Sequence, residues 1–335
     1  MSAETLIECV PNFSEGQNEA TLQAITAAIE SVPATKLLHK DVGYSAHRTV
    51  FTFAGPPEAV VESAFEAIRI ASEFIDMRMH KGTHPRLGAT DVCPLIPLAN
   101  ISMDEVKLLA YELAKRVGNE LHIPVYLYEK SAIHRNRKNL ATIRKGEYEG
   151  LELKLAEPKW KPDFGPNQFN AINGATVIGA RNFLLAYNLN LNTIDVKVAK
   201  AIAEEMRESG KVITKEGKKE RIPGKFKALK AIGWFIEEFD CAQVSMNLID
   251  FHQTNLHDAF EGSKEIASKY GVEVTGSELI GMAPLEVFLK AGKFYEQKEL
   301  SEEELVKSAI QNLGLSQLTP FNPHEKVIEY KLMDL

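Results

Sequence analysis

His80-Lys-Gly-Thr-His-Pro-Arg-Leu-Gly-Ala-Thr-Asp-Val-Cys-Pro94 turns the chain from a helix into a strand, and the fold of the first half follows from that turn. Gly82, Pro85, Gly88 and Pro94 at this density exclude a regular helix. The segment reads as a polar loop that runs into a buried strand over 91–98. Working backward, Val60, Ala64, Ile68 and Ile75 fall on one face of a helix from about 58 to 78. Arg48-Thr-Val-Phe-Thr-Phe-Ala54 alternates and is rich in β-formers, so it reads as a strand, and Lys36–Asp41 reads as another before it. Leu22, Ile25 and Ile29 mark a helix over about 17–31. Thr5–Val10 is a strand, and Pro11–Gly16 is a turn. The order β-α-β-β-α-β is the split βαβ, or ferredoxin-like, arrangement. A helix of about 103–117, capped by Ser102 with Glu105 three residues on, and a strand over 125–128 are appended.

Forward of that point, residues 129–174 read as a linker and the edge of a cleft. They carry the basic run His134-Arg-Asn-Arg-Lys138, then Arg144 and Lys145, and the turn-rich Trp160–Asn170. The element order then repeats: strand 183–190, helix 194–209, a charged surface loop over 210–224, strands 228–236 and 242–250, helix 254–270, strand 273–277. Helices of about 284–292 and 301–313 follow, with a last short strand at 327–332. The expected architecture is therefore α+β: two ferredoxin-like subdomains, 1–178 and 179–335, with a ligand cleft between them, a preferred place for small-molecule sites.

With 44% hydrophobic and 25% charged residues the chain has ordinary globular composition. No apolar run approaches the roughly 20 residues of a membrane helix, and the N-terminus lacks the pattern of a signal peptide. Three widely spaced cysteines, Cys9, Cys93 and Cys241, point to reduced thiols and a cytoplasmic address. A net charge of −7 argues against nucleic-acid binding while leaving room for an acidic ligand at a local basic cluster.

Among the residues that carry chemistry, His84 comes first, because it titrates near neutrality and sits between Thr83 and Pro85 with Arg86 and Asp91 close by. A nearby carboxylate could hold its tautomer. The bland alternative is a loop histidine that only bonds backbone. His80 and His84 are four apart, but Gly82 and Pro85 break the helix that metal ligation would need, and no third ligand is near. Phosphate-cradling glycine loops are absent, which weighs against nucleotide use. The basic run 134–145 reads either as a solvated face or as a place that captures carboxylates.

Several segments together resemble the formiminotransferase family, that is, the glutamate formimidoyltransferases and the transferase part of the formiminotransferase-cyclodeaminases. They are Glu8–Gly16, Arg48–Phe53, His80–Pro94, Pro124–Tyr128, Asp163–Pro166, Gly174–Arg181, Ala231–Trp234, Ala242–Leu248 and Pro320–Pro323, in matching order over nearly the whole chain. The resemblance implies a transferase of histidine degradation. It would pass the formimidoyl group from N-formimidoyl-L-glutamate to N5 of tetrahydrofolate, the co-substrate, without metal or nucleotide. It implies His84 as the active-site acid/base. It also implies a folate-binding stretch at Gly165, Pro166, Asn167, Gln168, Phe169, Asn170, Ala171, Ile172, Asn173 and Gly174, and a homodimer. Where the chain ends suggests a free-standing transferase, with a separate cyclodeaminase as candidate partner. Asp41 is expected to orient His84 or the amidinium. Arg48 is expected to pair with substrate carboxylates, with His80 and Arg86 as further substrate contacts. His47 stands where the better-known members are expected to carry asparagine. Two competing readings are an ATP-dependent 5-formyltetrahydrofolate cycloligase-like enzyme and a non-catalytic folate- or amino-acid-binding regulator.

Overall fold

A computed structural model describes residues 4–215 and 218–333. The chain divides into two units, the first ending at Asn182 and the second beginning at Phe183.

In the first unit the elements are β1 (Leu6–Cys9), β2 (Asn12–Phe13), α1 (Glu19–Glu30), β3 (Lys36–Gly43), β4 (Arg48–Gly55) and α2 (Pro57–Phe74). They continue with β5 (Thr90–Ala99), α3 (Met103–Glu120), β6 (Val125–Leu127), α4 (Leu140–Arg144), α5 (Leu151–Leu155) and β7 (Thr176–Ala180). β1 and β2 both pair antiparallel with β4 and β5, so they occupy one lane interrupted at Pro11. Proline lacks the N–H a ladder needs. The segment read as a turn over 11–16 thus begins by rejoining the sheet. Across the sheet the lanes run β3, β4, β1/β2, β5, β7, β6, the last two pairings parallel.

β7 was not anticipated. All five of its residues are buried, giving an apolar run with no alternation to mark it. The helix expected to reach 78 stops at Phe74, and the capping box of Ser102 and Glu105 starts α3 as expected. Phe51 and Phe53 of β4, Ile7 and Cys9 of β1 and Ile68 of α2 are each fully buried in one core. Burial of each large side chain stabilises by about 1.5–3 kcal/mol. A smaller cluster around Leu87, Tyr126, Ile143 and Trp160 packs the 129–175 segment down.

The second unit contains β8 (Leu185–Leu191), α6 (Val196–Met206), β9 (Lys211–Lys215), β10 (Lys218–Ile222), β11 (Leu229–Ile236) and β12 (Cys241–Leu248). Then come α7 (Leu256–Lys269), β13 (Val274–Ile280), α8 (Leu285–Tyr295), α9 (Glu302–Asn312), α10 (Pro323–Lys326) and α11 (Ile328–Met333). Its sheet order is β11, β12, β8, β13, antiparallel throughout. Two expectations fail here. The charged loop over 210–224 contains an antiparallel strand pair, β9 and β10, because Val212, Ile213 and Thr214 favour extended backbone that their lysine neighbours disguise. The expected strand at 327–332 is helical from Ile328, with a single bridge between Val327 and Ala283.

In both units the four strands of the β-α-β-β-α-β path lie in the spatial order second, third, first, fourth.

Candidate functional site

Three segments meet at one end of the first sheet: 14–18 before α1, 43–48 between β3 and β4, and 80–91 between α2 and β5. Their backbones touch. A Cβ on Gly16 would lie 2.5 Å from the Gly43 carbonyl, and one on Gly82 would lie 2.5 Å from that of Ala46. Ser14 Oγ donates to the Gly88 carbonyl at 2.8 Å, and Thr49 Oγ1 to that of Glu15 at 2.6 Å. The loops are thus fixed relative to the strands, which a site on loops requires.

His84 lies half-buried in this junction. Its Nδ1 is 2.7 Å from the carbonyl of Pro85. A carbonyl only accepts, so Nδ1 carries the hydrogen, and in the neutral ring Nε2 bears the lone pair. Burial, then the positive charges of Arg48 and Arg144, push the histidine well below its usual value, with Asp91 opposing. The direction of the shift favours the neutral ring.

Asp91, fully buried, organises the charges. Arg48 Nη1 is 2.7 Å from its Oδ2. Arg144 binds both its oxygens, Nε at 3.2 Å from Oδ1 and Nη2 on Oδ2. The Leu87 N–H donates to Oδ1 at 2.9 Å. Burial alone would raise the carboxyl, but Arg144 and Arg48 hold it at about 2. Arg48 also donates through Nε to Asn12 Oδ1 at 3.1 Å, and burial draws its guanidinium down to about 10. Two cations share one anion beside His84, so the cluster carries a net charge of +1.

A second network supports the loop from behind. Arg86 forms a bidentate pair with Glu149 at 2.6 and 2.8 Å, and reaches Glu147 at 3.3 Å. Its Nε donates to His80 Nδ1 at 3.2 Å, and His80 Nε2 donates to the His47 carbonyl at 2.8 Å. These partners define a neutral His80, and burial lowers its pKa. His47 stacks on it, ring centroids 4.3 Å apart and planes at 16°. Glu15 Oε1 accepts from the backbone N–H groups of Gly16, Gln17 and Asn18 at 2.8–2.9 Å and lies 3.2 Å from His47 Nε2. Against the burial that would raise it, these bonds bring Glu15 down to about 2.

The expected residues divide into groups. Arg48 is beside His84, as the electrostatics require. Asp41 lies opposite Val50 in the β3–β4 ladder and so shares the sheet face of Arg48, where its Oδ2 is 3.5 Å from His39 Nε2. His80 and Arg86 lie on the loop itself and are engaged with the His47 carbonyl and Glu149.

The stretch 165–174 is stitched to the loop's far end. Ala89 N–H donates to Asn173 O at 2.9 Å, Ala175 N–H to Leu87 O at 3.2 Å, and Met77 N–H to Ile172 O at 2.9 Å. Tyr148 Oη donates to Ala171 O at 2.5 Å, and Phe169 packs on its ring. Gly165 and Gly174 both have positive φ, and a Cβ on Gly165 would lie 2.2 Å from the Ile123 carbonyl, so only glycine fits there. Asn167, Gln168 and Ile172 are exposed.

Of the basic run, Arg137 is buried on Asp163 and the carbonyls of Lys159 and Lys161, bracing the start of this stretch. Arg144 and Glu15 are the partners that sequence reading missed. Arg144 lies 53 residues from Asp91 in a five-residue helix and carries no local signal. Among the described residues no group of three or more His, Cys, Asp or Glu could hold a metal ion, and no helix is long and apolar enough to cross a membrane.

Comparison with known proteins agrees with these elements. A family model described as the N-terminal subdomain of the formiminotransferase domain matches residues 6–181, and one described as the formiminotransferase domain matches 186–333. The chain is 47% identical, over 98% of its length, to formimidoyltransferase-cyclodeaminase of Rattus norvegicus, of which it spans 60%. It is 42% identical over 88% of its length to glutamate formimidoyltransferase of Streptococcus pyogenes serotype M1, covering 94% of that protein. The corresponding protein of Thermoplasma acidophilum is 40% identical over 88% of the chain, with 93% covered. With both halves matched in order, the chain belongs to the formiminotransferase family.

Proposed function

We propose that the protein is a glutamate formimidoyltransferase, transferring the formimidoyl group of N-formimidoyl-L-glutamate to N5 of tetrahydrofolate and releasing L-glutamate. The observation that carries the reading is the state of His84: Nδ1–H held by the Pro85 carbonyl, and Nε2 the lone-pair nitrogen. The relatives named glutamate formimidoyltransferase, nearly fully covered by the chain, support it.

The steps balance through one group. N5 of the folate attacks the amidine carbon, and the proton that N5 sheds passes to His84 Nε2. The tetrahedral centre collapses as the imidazolium returns that proton to the departing glutamate nitrogen, which is a poor leaving group without it. A histidine pushed below its usual value is a weak base but, once protonated, a strong acid for this second step. The net positive cluster of Arg48, Arg144 and Asp91 suits a substrate bearing carboxylates. Those carboxylates offset the field that depresses His84, so its basicity rises as substrate binds. Arg48 is the carboxylate contact in this reading, and Asp41, on the same face, orients the amidinium. Arg86 and His80 hold the loop through Glu149 and the His47 carbonyl, and 165–174 binds folate through its exposed side chains. The shared strand order supports a ferredoxin-like reading of both units. The free cysteines Cys9, Cys93 and Cys241 suit a reducing cytoplasmic setting. A second copy of the chain and a separate cyclodeaminase are the expected partners.

The test is a two-substrate assay without ATP or added metal, following 5-formimidoyltetrahydrofolate after acid conversion to the methenyl form. His84→Ala should lower kcat by about 10²–10⁴-fold with KM little changed. No product from a folded, folate-binding wild type would end the reading and favour the ATP-dependent folate reaction or a binding role.

A further inference from the structure

We propose that His47 is a positioning residue that clamps the loop carrying His84. As an imidazolium it grips the Glu15 carboxylate with one ring nitrogen and the Lys81 carbonyl with the other, and the loop loosens when that proton leaves. The inference rests on the reading of His84 as the acid/base.

Two acceptors dictate the charge of the ring. Nδ1 lies 2.7 Å from Lys81 O, and Nε2 lies 3.2 Å from Glu15 Oε1. Both partners only accept, whereas a neutral imidazole has one N–H, so a neutral His47 would turn a lone pair toward one of them. Neither partner can readily retreat. Glu15 Oε1 is fixed by three backbone N–H groups, and the Lys81 carbonyl precedes Gly82, where a Cβ would meet Ala46 O at 2.5 Å and His47 Cβ at 2.9 Å. His47 itself holds φ at +49°, a conformation that surrounding contacts must maintain in a residue other than glycine. His80 stacks on the ring and donates to the His47 carbonyl, so the loop is held at 80 and 81 by one residue.

The ionisable groups facing His47 are Glu15 from the segment before α1, and His80 and Arg86 from the loop. Glu15 raises the proton affinity of His47, burial and Arg86 lower it, and the net direction is upward. A raised folded-state value means the clamp is complete below the ordinary histidine range and is lost as pH climbs through that raised value.

The test is amide hydrogen exchange of the 80–88 segment against pH, corrected for intrinsic rates, with His47 titration followed by NMR. In the wild type, protection should fall by about tenfold as His47 loses its proton, and the alkaline limb of kcat should share that midpoint with folate KM unchanged. His47→Gln should abolish the step. Glu15→Gln should move the midpoint down, because Glu15 is the main group that raises the proton affinity of His47. His84→Ala should keep the exchange step while losing turnover, whereas a wild type that shows the step but turns over no substrate overturns the transferase reading and leaves the clamp standing. Flat protection in the wild type from about pH 6 to 9, or a step that persists in His47→Gln, overturns the clamp.

Discussion

The two units arrange four strands in the same spatial order, yet stock the sheet face opposite their helices with different chemistry. In the first unit that face carries Glu8, His39, Asp41 and Arg48, with Asp91 and Arg144 joining Arg48 at its end. In the second it carries mainly amides, with one carboxylate, Glu278, accepting from Asn188 Nδ2 at 3.0 Å: Gln243 Nε2 donates to Asn190 Oδ1 at 2.7 Å, Asn190 Nδ2 to Gln317 Oε1 at 2.8 Å, and Trp234 Nε1 to Gln243 Oε1 at 3.0 Å. Amides satisfy one another without exchanging protons. Buried charges do not, and the first unit contains both outcomes. Asp91 is held at about 2 by two arginines, whereas burial pushes Glu8 up to about 7 with Arg181 only partly opposing it. Topology alone does not make a reactive site. What distinguishes the first unit is how unevenly its charges are matched.

The largest break in this contrast should come from Asp91→Ala, which leaves Arg48 and Arg144 facing each other in a buried place. We expect a loss of about 3–5 kcal/mol from the first unit, read by urea unfolding. Trp160 reports that unit and Trp234 the other, so only the Trp160 transition should move. A shift below about 1 kcal/mol would mean that the arginines relax into water and that the cluster is not sealed. On the amide side, Gln243→Ala removes the donor to Asn190 Oδ1 and the acceptor of Trp234 Nε1, and should cost the second unit about 1–3 kcal/mol. That cost should be equal at pH 5.5 and 7.5, because nothing in the network titrates; a pH-dependent cost would erase the contrast.

His84 sharpens it further. Its folded-state value is lowered, so as pH falls below about 6.5 the unfolded chain takes a proton the folded chain refuses. Between pH 7.5 and 5.5 the first unit should lose up to about 1 kcal/mol from this residue alone. His84→Gln should flatten that limb. Equal slopes in both proteins would show that His84 is wetter than its neighbours suggest.

Much of the first unit was legible because its strands alternate and its helices carry apolar faces at regular spacing. β7 was not, since a strand buried on both faces has no period to read. The parallel pairing of β7 with β5 and β6 is a tertiary fact with no local signature. In the site, glycine and proline marked the loop and His84 within it. The partners of Asp91 were hidden, because Arg48, Arg144 and Asp91 come from three segments and meet only in the folded sheet. Arg144 sat in a basic run, where the usual expectation is solvent. The run splits instead into a buried brace, Arg137, and a site residue, Arg144, and only packing of the 129–175 segment decides which is which.

The smallest expected effect lies on β9 and β10, where dense charge disguises a strand pair. Lys215 and Lys218 stand directly opposite in the ladder, and both are exposed. Like charges in that relation oppose pairing, while solvent screens most of the repulsion. Lys218→Glu replaces repulsion with attraction and should stabilise the pair by about 0.2–1 kcal/mol, read as slower amide exchange in 211–215. The gain should shrink toward zero at about 1 M salt, where the screening length is near 3 Å. A buried pair such as Asp91 with Arg144 should keep its contribution at that salt. If the Lys218→Glu gain survives salt, β9 and β10 are less exposed than their side chains indicate, and the distinction between screened and sealed charge in the two units fails at its weaker end.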